Sequence, residues 1–481
     1  MNKQFKLGFM PTRRAFFSKE DAFKYKGIIA DEIKKLIPSQ VEIVDLEWLN
    51  SEGLLYDDRD SEQVADYFQS RKVDALFTPH CNFGCENAVA QVAYRVQKPL
   101  LLWGPRDEAP LPDGVRLRDS QCGLFATSKV LQRYNVPFTY IVNSHVTDHV
   151  FRIGFLNFIK AANAVKFSKN IRIGQVASRP QTFYSVIVNE SELLERFGIE
   201  TVPFNLGTVI RFVEDTIKNK STDVQKIAVQ ISQKADCSKL SKETVEKMAA
   251  LKLVLHNIYD DNNLHALSFQ CWDELQFQLG ICSCYVQALL IDEGIPVACE
   301  ADIHGAVSSL MLQAASMFEE PVFFADLTIR HPENDNAELL WHCGAFPPSL
   351  CATDNKALIG NHFILPSHAP GTCNWKLRNG DVTVIRFDGI HGKYSLLCGE
   401  GKVVDGPYNQ GTYVYMEVGD WSLWEEKIIY GPYIHHTSCI YGKYAPVIYE
   451  ASRYLNGVTF DPTQPTEEEI RKYLRNNANQ L

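Results

Sequence analysis

PVACEADIHGAVSSLMLQAASMFEEPVFFADLTIRHPENDNAELLWHCGAFP, residues 296–347, is the stretch from which the rest of the chain can be read. Two apolar runs, Ile295 to Cys299 and Pro321 to Ala325, end in Glu300 and Asp326, and a third through Leu339 to Trp341 ends in His342. Between the first two, Val307, Leu310, Met311, Ala314 and Met317 recur at three- and four-residue intervals, which predicts an amphipathic helix over 303–318. Strand, helix and strand predict a βαβ unit with parallel strands whose carboxyl ends share one edge of the sheet. Ligands of open α/β sheets bind at that edge. Glu300 and Asp326 are therefore expected side by side. Adjacent carboxylates repel, and burial raises the cost of keeping both ionised, so a shared proton, a basic partner or a metal ion must compensate them. With His342 nearby, oxygen and imidazole donors suit Mn²⁺, Mg²⁺, Fe²⁺ or Co²⁺. The plainer alternative has Glu300 capping the following helix and Asp326 pairing with Arg330.

A chain of 481 residues exceeds one ordinary core and implies about three domains. Its net charge of −10, without a block of like charges, argues against nucleic acid or an anionic membrane as partner and leaves a small molecule. No apolar segment follows the basic residues of MNKQFKLGFMPTRR, and no run of ~18 apolar residues occurs, so neither a signal peptide nor a spanning helix is expected. The thirteen scattered cysteines then read as reduced thiols of a cytoplasmic protein. Cys81/Cys85 and Cys282/Cys284 are spaced for a soft metal but fall in different expected domains.

Residues 1–168 alternate apolar runs with helical periods and predict a parallel, doubly wound Rossmann-like domain. No GxGxxG opens its helices, so no dinucleotide is indicated. Residues 169–352 predict a second such domain: Ile171 to Val176 is a strand, Asn189 an N-cap before Glu190 to Phe197, and Gly198 a stop. Residues 353–481 change texture, with short runs at Asp381 to Phe387, Tyr394 to Cys398, Gly411 to Val418 and Trp424 to Tyr430, which predict a β-rich, barrel-like domain. It closes on His435-His436, read as preceding a helix with Ile440, Tyr441, Tyr444, Val447, Ile448, Ala451, Tyr454 and Leu455 on its apolar face.

Taken together, Cys299-Glu300-Ala301-Asp302, Phe323-Phe324-Ala325-Asp326-Leu327, Trp341-His342-Cys343-Gly344 and His436 resemble the motifs of the L-fucose isomerase and L-arabinose isomerase superfamily. Gly8-Phe9-Met10-Pro11-Thr12, the Thr78 to Glu86 loop and Leu102-Trp103-Gly104 are similar to fucose-isomerase segments. The resemblance implies two Rossmann-like α/β domains followed by a β-rich one. It also implies a homo-oligomer, trimeric or hexameric, and a divalent metal, Mn²⁺ foremost, held by Glu300, Asp326, His342 and His436. Both carboxylates would shuttle the proton of an aldose–ketose isomerisation through a cis-enediol, although a hydride shift is open. Arg13, Arg14, Gln181, Trp341 and Trp421 are the candidates for sugar contacts. Two departures mark a divergent member: Cys81 stands where the fucose-isomerase loop has tryptophan, and a fucose-type Asp326 accompanies an arabinose-type His342. The expected substrate is a fucose- or arabinose-type monosaccharide; the alternatives are an isomerase or epimerase of a modified, acidic or sulfonated sugar, which the arginines would serve, and a sugar-binding protein without turnover.

Overall fold

A computed structural model describes residues 3–219, 221–353 and 357–476. The chain divides into two compact units, one of residues 167–445 and 457–466, the other of residues up to 166 with 446–456 and the chain from 467 onward.

The second of these contains a five-stranded parallel sheet, β1 (Phe5–Phe9), β2 (Val41–Val44), β3 (Ala75–Pro79), β4 (Leu100–Trp103) and β5 (Thr139–Tyr140), in the order β2-β1-β3-β4-β5. Helices α1 (Lys19–Leu36), α2 (Ser61–Ser70), α3 (Glu86–Val96), α4 (Ser120–Arg133) and α5 (His149–Lys166) connect and follow the strands. β3 and β4 are buried at every residue, which is why they read as unbroken apolar runs. The loops after β1 and β3 are knitted together: Cys85 N–H donates to Thr12 Oγ1 at 2.9 Å and Arg14 N–H to Asn82 Oδ1 at 2.7 Å.

The larger unit holds a four-stranded parallel sheet, β6 (Arg172–Val176), β7 (Glu200–Phe204), β8 (Ala266–Phe269) and β9 (Val297–Cys299), in the order β7-β6-β8-β9. Its helices are α6 (Glu190–Phe197), α7 (Leu206–Lys218), α8 (Thr222–Lys234), α9 (Lys242–Asp261), α10 (Glu274–Leu279), α11 (Cys284–Asp292) and α12 (Ile303–Ala315). Asn189 caps α6 by accepting from Glu192 N–H, and Gly198 ends it at φ +66°. Helices α10 and α11 are separated at Gly280, which ends α10 at φ +68°.

The same unit contains the β-rich part. Strands β10 (Val322–Arg330), β11 (Ala337–His342), β12 (Leu358–Asn361), β13 (Pro370–Lys376), β14 (Asp381–Ile390), β15 (Lys393–Val404), β16 (Thr412–Glu417), β17 (His436–Tyr441) and β18 (Val458–Pro462) form one mixed sheet. Six of them close on themselves, β16-β11-β10-β17-β14-β15 and back to β16, all antiparallel, making a barrel. Two parallel-sheet α/β folds and a barrel are thus the architecture expected from the sequence. Among the described residues no helix is long and apolar enough to cross a membrane.

Four local expectations are corrected. β9 and β10 do not form a βαβ unit: β9 closes the four-stranded sheet, whereas β10 turns back on β11 after a short hairpin and pairs antiparallel. Asp326 and His342 therefore lie on barrel strands, and Asp326 falls mid-strand. Helix α12 is buried at all thirteen residues, since it packs on β8 and β9 as well as on β14 and β17. Residues 436–441 are a strand, buried throughout and therefore without a period, and the following helix is only α14 (Ala445–Ser452). Trp424 to Tyr430 belongs to helix α13 (Trp421–Tyr430), which Asp420 caps by accepting from Leu423 N–H at 3.3 Å. A last helix, α15 (Glu467–Arg475), ends the described chain.

Candidate active site

β9 stops at Cys299, and Glu300 and Ala301 follow with φ of +56° and +57°. Consecutive left-handed residues without glycine are strained, by about 1–3 kcal/mol each, and such strain concentrates at functional positions. The turn delivers the chain to Asp302, which caps α12 by accepting from Gly305 N–H at 2.9 Å. Glu300 is thus not the cap, and its carboxylate does something else. Trp272 Nε1–H donates to Glu300 Oε1 at 3.1 Å, fixing one oxygen and leaving Oε2 toward His436.

Asp326 on β10 stands opposite His436 on β17 in the barrel register, so the two side chains are brought together by strand pairing. Arg330, the alternative partner of Asp326, pairs with Asp335 instead. His436 Nε2 lies 3.1 Å from Glu300 Oε2 and 3.6 Å from Asp326 Oδ1, without hydrogen-bond alignment to either. The Phe324 ring approaches both imidazoles, with centroids 5.2 Å from His436 and 6.1 Å from His342.

Glu300 Oε2, Asp326 Oδ1, His342 Nε2 and His436 Nε2 are all buried, and none makes a hydrogen bond. An unsatisfied buried polar atom costs about 1–3 kcal/mol. One from each of the four expected ligands is more than packing noise, and two carboxylate oxygens with imidazole nitrogen are donors for a hard or borderline divalent cation. These residues fit a metal ion.

Electrostatics run the same way. Burial favours a neutral Glu300, but contacts with His436, the charge of His342 and the Trp272 bond outweigh it and hold the carboxyl at about 2. Burial likewise opposes charge on His436, yet Asp302, Glu300 and Asp326 push it up to about 10. His342 rises to about 10 against burial, through Cys343, Asp326 and Glu300. Protons on the two imidazoles therefore compensate the carboxylates, the role that a bound cation would take over.

Behind the site lies a fully buried ionic chain. Asp302 Oδ2 accepts from His436 Nδ1–H at 3.0 Å. Arg386 binds Asp302 through both terminal nitrogens and Asp388 through Nε at 2.8 Å, and His304 Nδ1 is 2.8 Å from Asp388 Oδ1. Burial would raise the Asp302 carboxyl, but Arg386 and His436 hold it far below the usual range. The carboxylate–imidazole pair fixes the ring and its proton, the arrangement that orients metal-ligating histidines. Phe183, from the loop after β6, covers the outer face: its ring is 5.9 Å from His436 and 4.9 Å from Trp272.

The expected sugar contacts divide. Trp341 neighbours the site, with its ring nearly parallel to His342 at 6.2 Å and its indole N–H donated to Gln410 O at 2.7 Å. Gln181 is exposed on the same loop as Phe183. Trp421 instead stacks on Trp424 at the start of α13. Arg13 and Arg14 belong to the other unit, where Arg13 is buried against Glu52 at 2.6 Å and Arg14 pairs with Glu86 at 3.3 Å. Cys81 is wholly buried and offers no surface there. All thirteen cysteines are free. Cys284 converges with Cys343 and His362, but the His362 Nδ1 already accepts from Ile364 and Leu365 N–H. Sequence reasoning missed Trp272, Phe183, His304, Arg386 and Asp388, and quoted Asp302 only as part of a motif. Asp302 carried a signal in its position just before a helical period.

Residues 8–169 match the family described as Fucose/sulfoquinovose isomerase, N-terminal domain. A sulfoquinovose isomerase of Priestia aryabhattai is 25% identical over 402 residues, 81% of this chain and 86% of the relative. One of Alkalicoccus urumqiensis is 27% identical over 352 residues, 72% of this chain and 76% of the relative. One of Clostridium sp. (strain MSTE9) is 27% identical over 341 residues, 69% and 73% respectively. The family match to the first third of the chain and the long similarity to sulfoquinovose isomerases together support a member of the fucose isomerase-like superfamily.

Proposed function

We propose that the protein is a metal-dependent aldose–ketose isomerase of an anionic, sulfonated monosaccharide, working in the cytoplasm as a homo-oligomer. The observation that carries this reading is the set of buried, unbonded atoms on Glu300, Asp326, His342 and His436. The names of the relatives favour the sulfonated sugar over the neutral fucose- or arabinose-type substrate expected from the sequence.

Isomerisation moves a proton between C1 and C2 while carbonyl character passes between O1 and O2. It needs a base beside that bond and stabilisation of the charge on the enediolate. Glu300, Asp326 and His436 would hold the divalent ion, Mn²⁺ foremost, with His342 alongside. Such an ion supplies Lewis-acid polarisation of the two oxygens and a template for their cis arrangement. Glu300, kept ionised by its neighbours and with Oε1 anchored on Trp272, accepts the carbon-bound proton. Asp326, mostly buried and near His436, serves the return. Phe183 and Trp341 limit water at the reacting face, and Arg179, on the loop with Phe183, offers a cation for the anionic group. The Arg179 guanidinium donates to the Pro180 and Gln181 carbonyls and lies over Tyr184.

The test is a panel of aldoses run in D₂O with Mn²⁺ present. Ketose formation from a 6-sulfonated aldose, with kcat/KM well above that for L-fucose or L-arabinose and with solvent deuterium in the product, supports the reading. Preference for a neutral sugar rejects the anionic substrate, and turnover without deuterium rejects the enediol.

A further inference from the structure

Two pairs of buried thiols lie close to the site, and they differ in what stands beside them. Strands β8 and β9 run parallel with Phe269 opposite Cys299, so their chain segments leave the sheet together. Cys271 and Cys299 are both buried there, with their sulfurs 3.2 Å apart. A Glu300 carboxylate oxygen lies within 4.8 Å of both sulfurs. Two sulfurs on a tetrahedral ion with bonds of about 2.3 Å sit ~3.8 Å apart, so the pair need open by only about half an ångström to hold one. The other pair, Cys284 and Cys343, is spaced at 3.7 Å with His362 nearby. His362 Nδ1, however, accepts from the Ile364 and Leu365 N–H groups, and a neutral ring so engaged carries its proton on Nε2. Neither nitrogen has a lone pair to give. Glu300 Oε2, by contrast, is buried without a hydrogen bond. Gln287 adds a second unsatisfied group beside the first pair. It is wholly buried, it donates from Nε2 to Cys299 Sγ at 3.6 Å, and its Oε1 has no partner. An N–H donated to sulfur favours the thiolate that an ion would bind.

We infer that Cys271, Cys299 and Glu300 form a second cation site, selective for a thiophilic divalent ion such as Zn²⁺ or Cd²⁺, and that an ion there competes for the Glu300 carboxylate with the one that Glu300, Asp326 and His436 would hold. Thiolates prefer such ions, whereas carboxylate and imidazole donors also serve Mn²⁺. Occupation of the sulfur site releases two thiol protons to solvent and draws off the carboxylate that the proposed reaction uses as its base. Zn²⁺ and Cd²⁺ are therefore inhibitors and not substitutes for Mn²⁺. The inhibition rests on the isomerase reading above; the binding site stands apart from it.

The test uses the full chain, reduced with a phosphine, and Cd²⁺ as the probe, read by its ultraviolet sulfur-to-cadmium charge-transfer band. The tightest equivalent of Cd²⁺ should produce the band in the wild type and in Cys284→Ala. It should produce none in Cys271→Ala or Cys299→Ala, with Cys271→Ser as a second variant where the alanine does not fold. During turnover of an aldose with Mn²⁺, the same equivalent should abolish the wild-type rate, and a chelator followed by fresh Mn²⁺ should restore it. C271A should keep its own rate at that Cd²⁺ level. A band that survives in both C271A and C299A, or that C284A alone removes, overturns the site. C271A inhibited as strongly as the wild type overturns the competition for Glu300. Failure of every aldose to turn over rejects the isomerase reading, and the Cd²⁺ band then decides the site by itself.

Discussion

Asp302 accepts the His436 proton at 3.0 Å and is itself gripped by Arg386, from a position 84 residues away in the chain. Asn at this position keeps the size but gives up one acceptor. Arg386 claims the remaining oxygen, and the amide N–H is left facing His436 Nδ1, which drives the ring proton to Nε2. D302N should therefore lower Mn²⁺ affinity by ~10–100-fold, the usual cost of losing a partner behind a ligating histidine; isothermal titration measures it, and an unchanged affinity contradicts the role. At Glu300 the conservative change separates chemistry from folding. E300Q keeps the oxygen that accepts from Trp272 but cannot take a proton, so kcat should fall on the order of 10²–10⁴-fold with the thermal midpoint little changed. Glu300, Asp326 and His342 were legible in the sequence because each ends an apolar run, whereas His436 entered only through the resemblance. Arg386, Asp388, His304 and Trp272 were not, because a partner supplied from a distant strand leaves no local pattern.

Helix α12 and the strands around it show where a pattern of periods misleads. Elements buried on every side, such as α12 and β17, carry no contrast between faces, so α12 read as amphipathic and β17 as helical. Strand β6 and helix α6, the latter with a clear cap and stop, came out nearly as expected, and the alternating runs of residues 1–168 resolve into a parallel sheet with its helices. The packing of α12 makes its own prediction. A Cβ on Gly305 would lie 2.5 Å from the Phe324 ring and 2.8 Å from Asp302 Oδ2, so G305A should destabilise by about 1–3 kcal/mol through overpacking and weaken Mn²⁺ binding together with it. Strand β11 offers a pH test away from the site. Burial, against Arg330 and with help from Glu425, pushes Glu338 up from 4.5 to about 7. An acid whose pKa is higher folded than unfolded favours folding when protonated. That contribution is complete below about pH 4.5, fades as pH rises through 7, and is absent above it. E338Q, neutral throughout, should raise the thermal midpoint at pH 8 and leave it nearly unchanged at pH 4.5. Equal shifts at both values would contradict the burial argument.

At the scale of the whole molecule, the site joins a strand end of a parallel sheet to two strands of a barrel within one compact unit. A cation there would tie the two layers together in the folded state only. Mn²⁺ at 100 times its dissociation constant should therefore stabilise that unit by about 2.7 kcal/mol, visible as a rise in its unfolding transition by calorimetry; a transition indifferent to Mn²⁺ would argue that the four atoms hold no ion. The broad architecture was accessible from composition and texture alone, since parallel α/β runs and short barrel strands differ in length and in Gly and Pro content. The assignment of β10 and β11 to the barrel was not, because nothing local tells an antiparallel return from a parallel crossover. The most direct measurement is turnover of a sulfonated aldose by protein stripped with a chelator and then titrated with Mn²⁺. The account predicts no ketose from the stripped protein and activity that rises to a plateau at one ion per chain. Full turnover by the metal-free protein would contradict it.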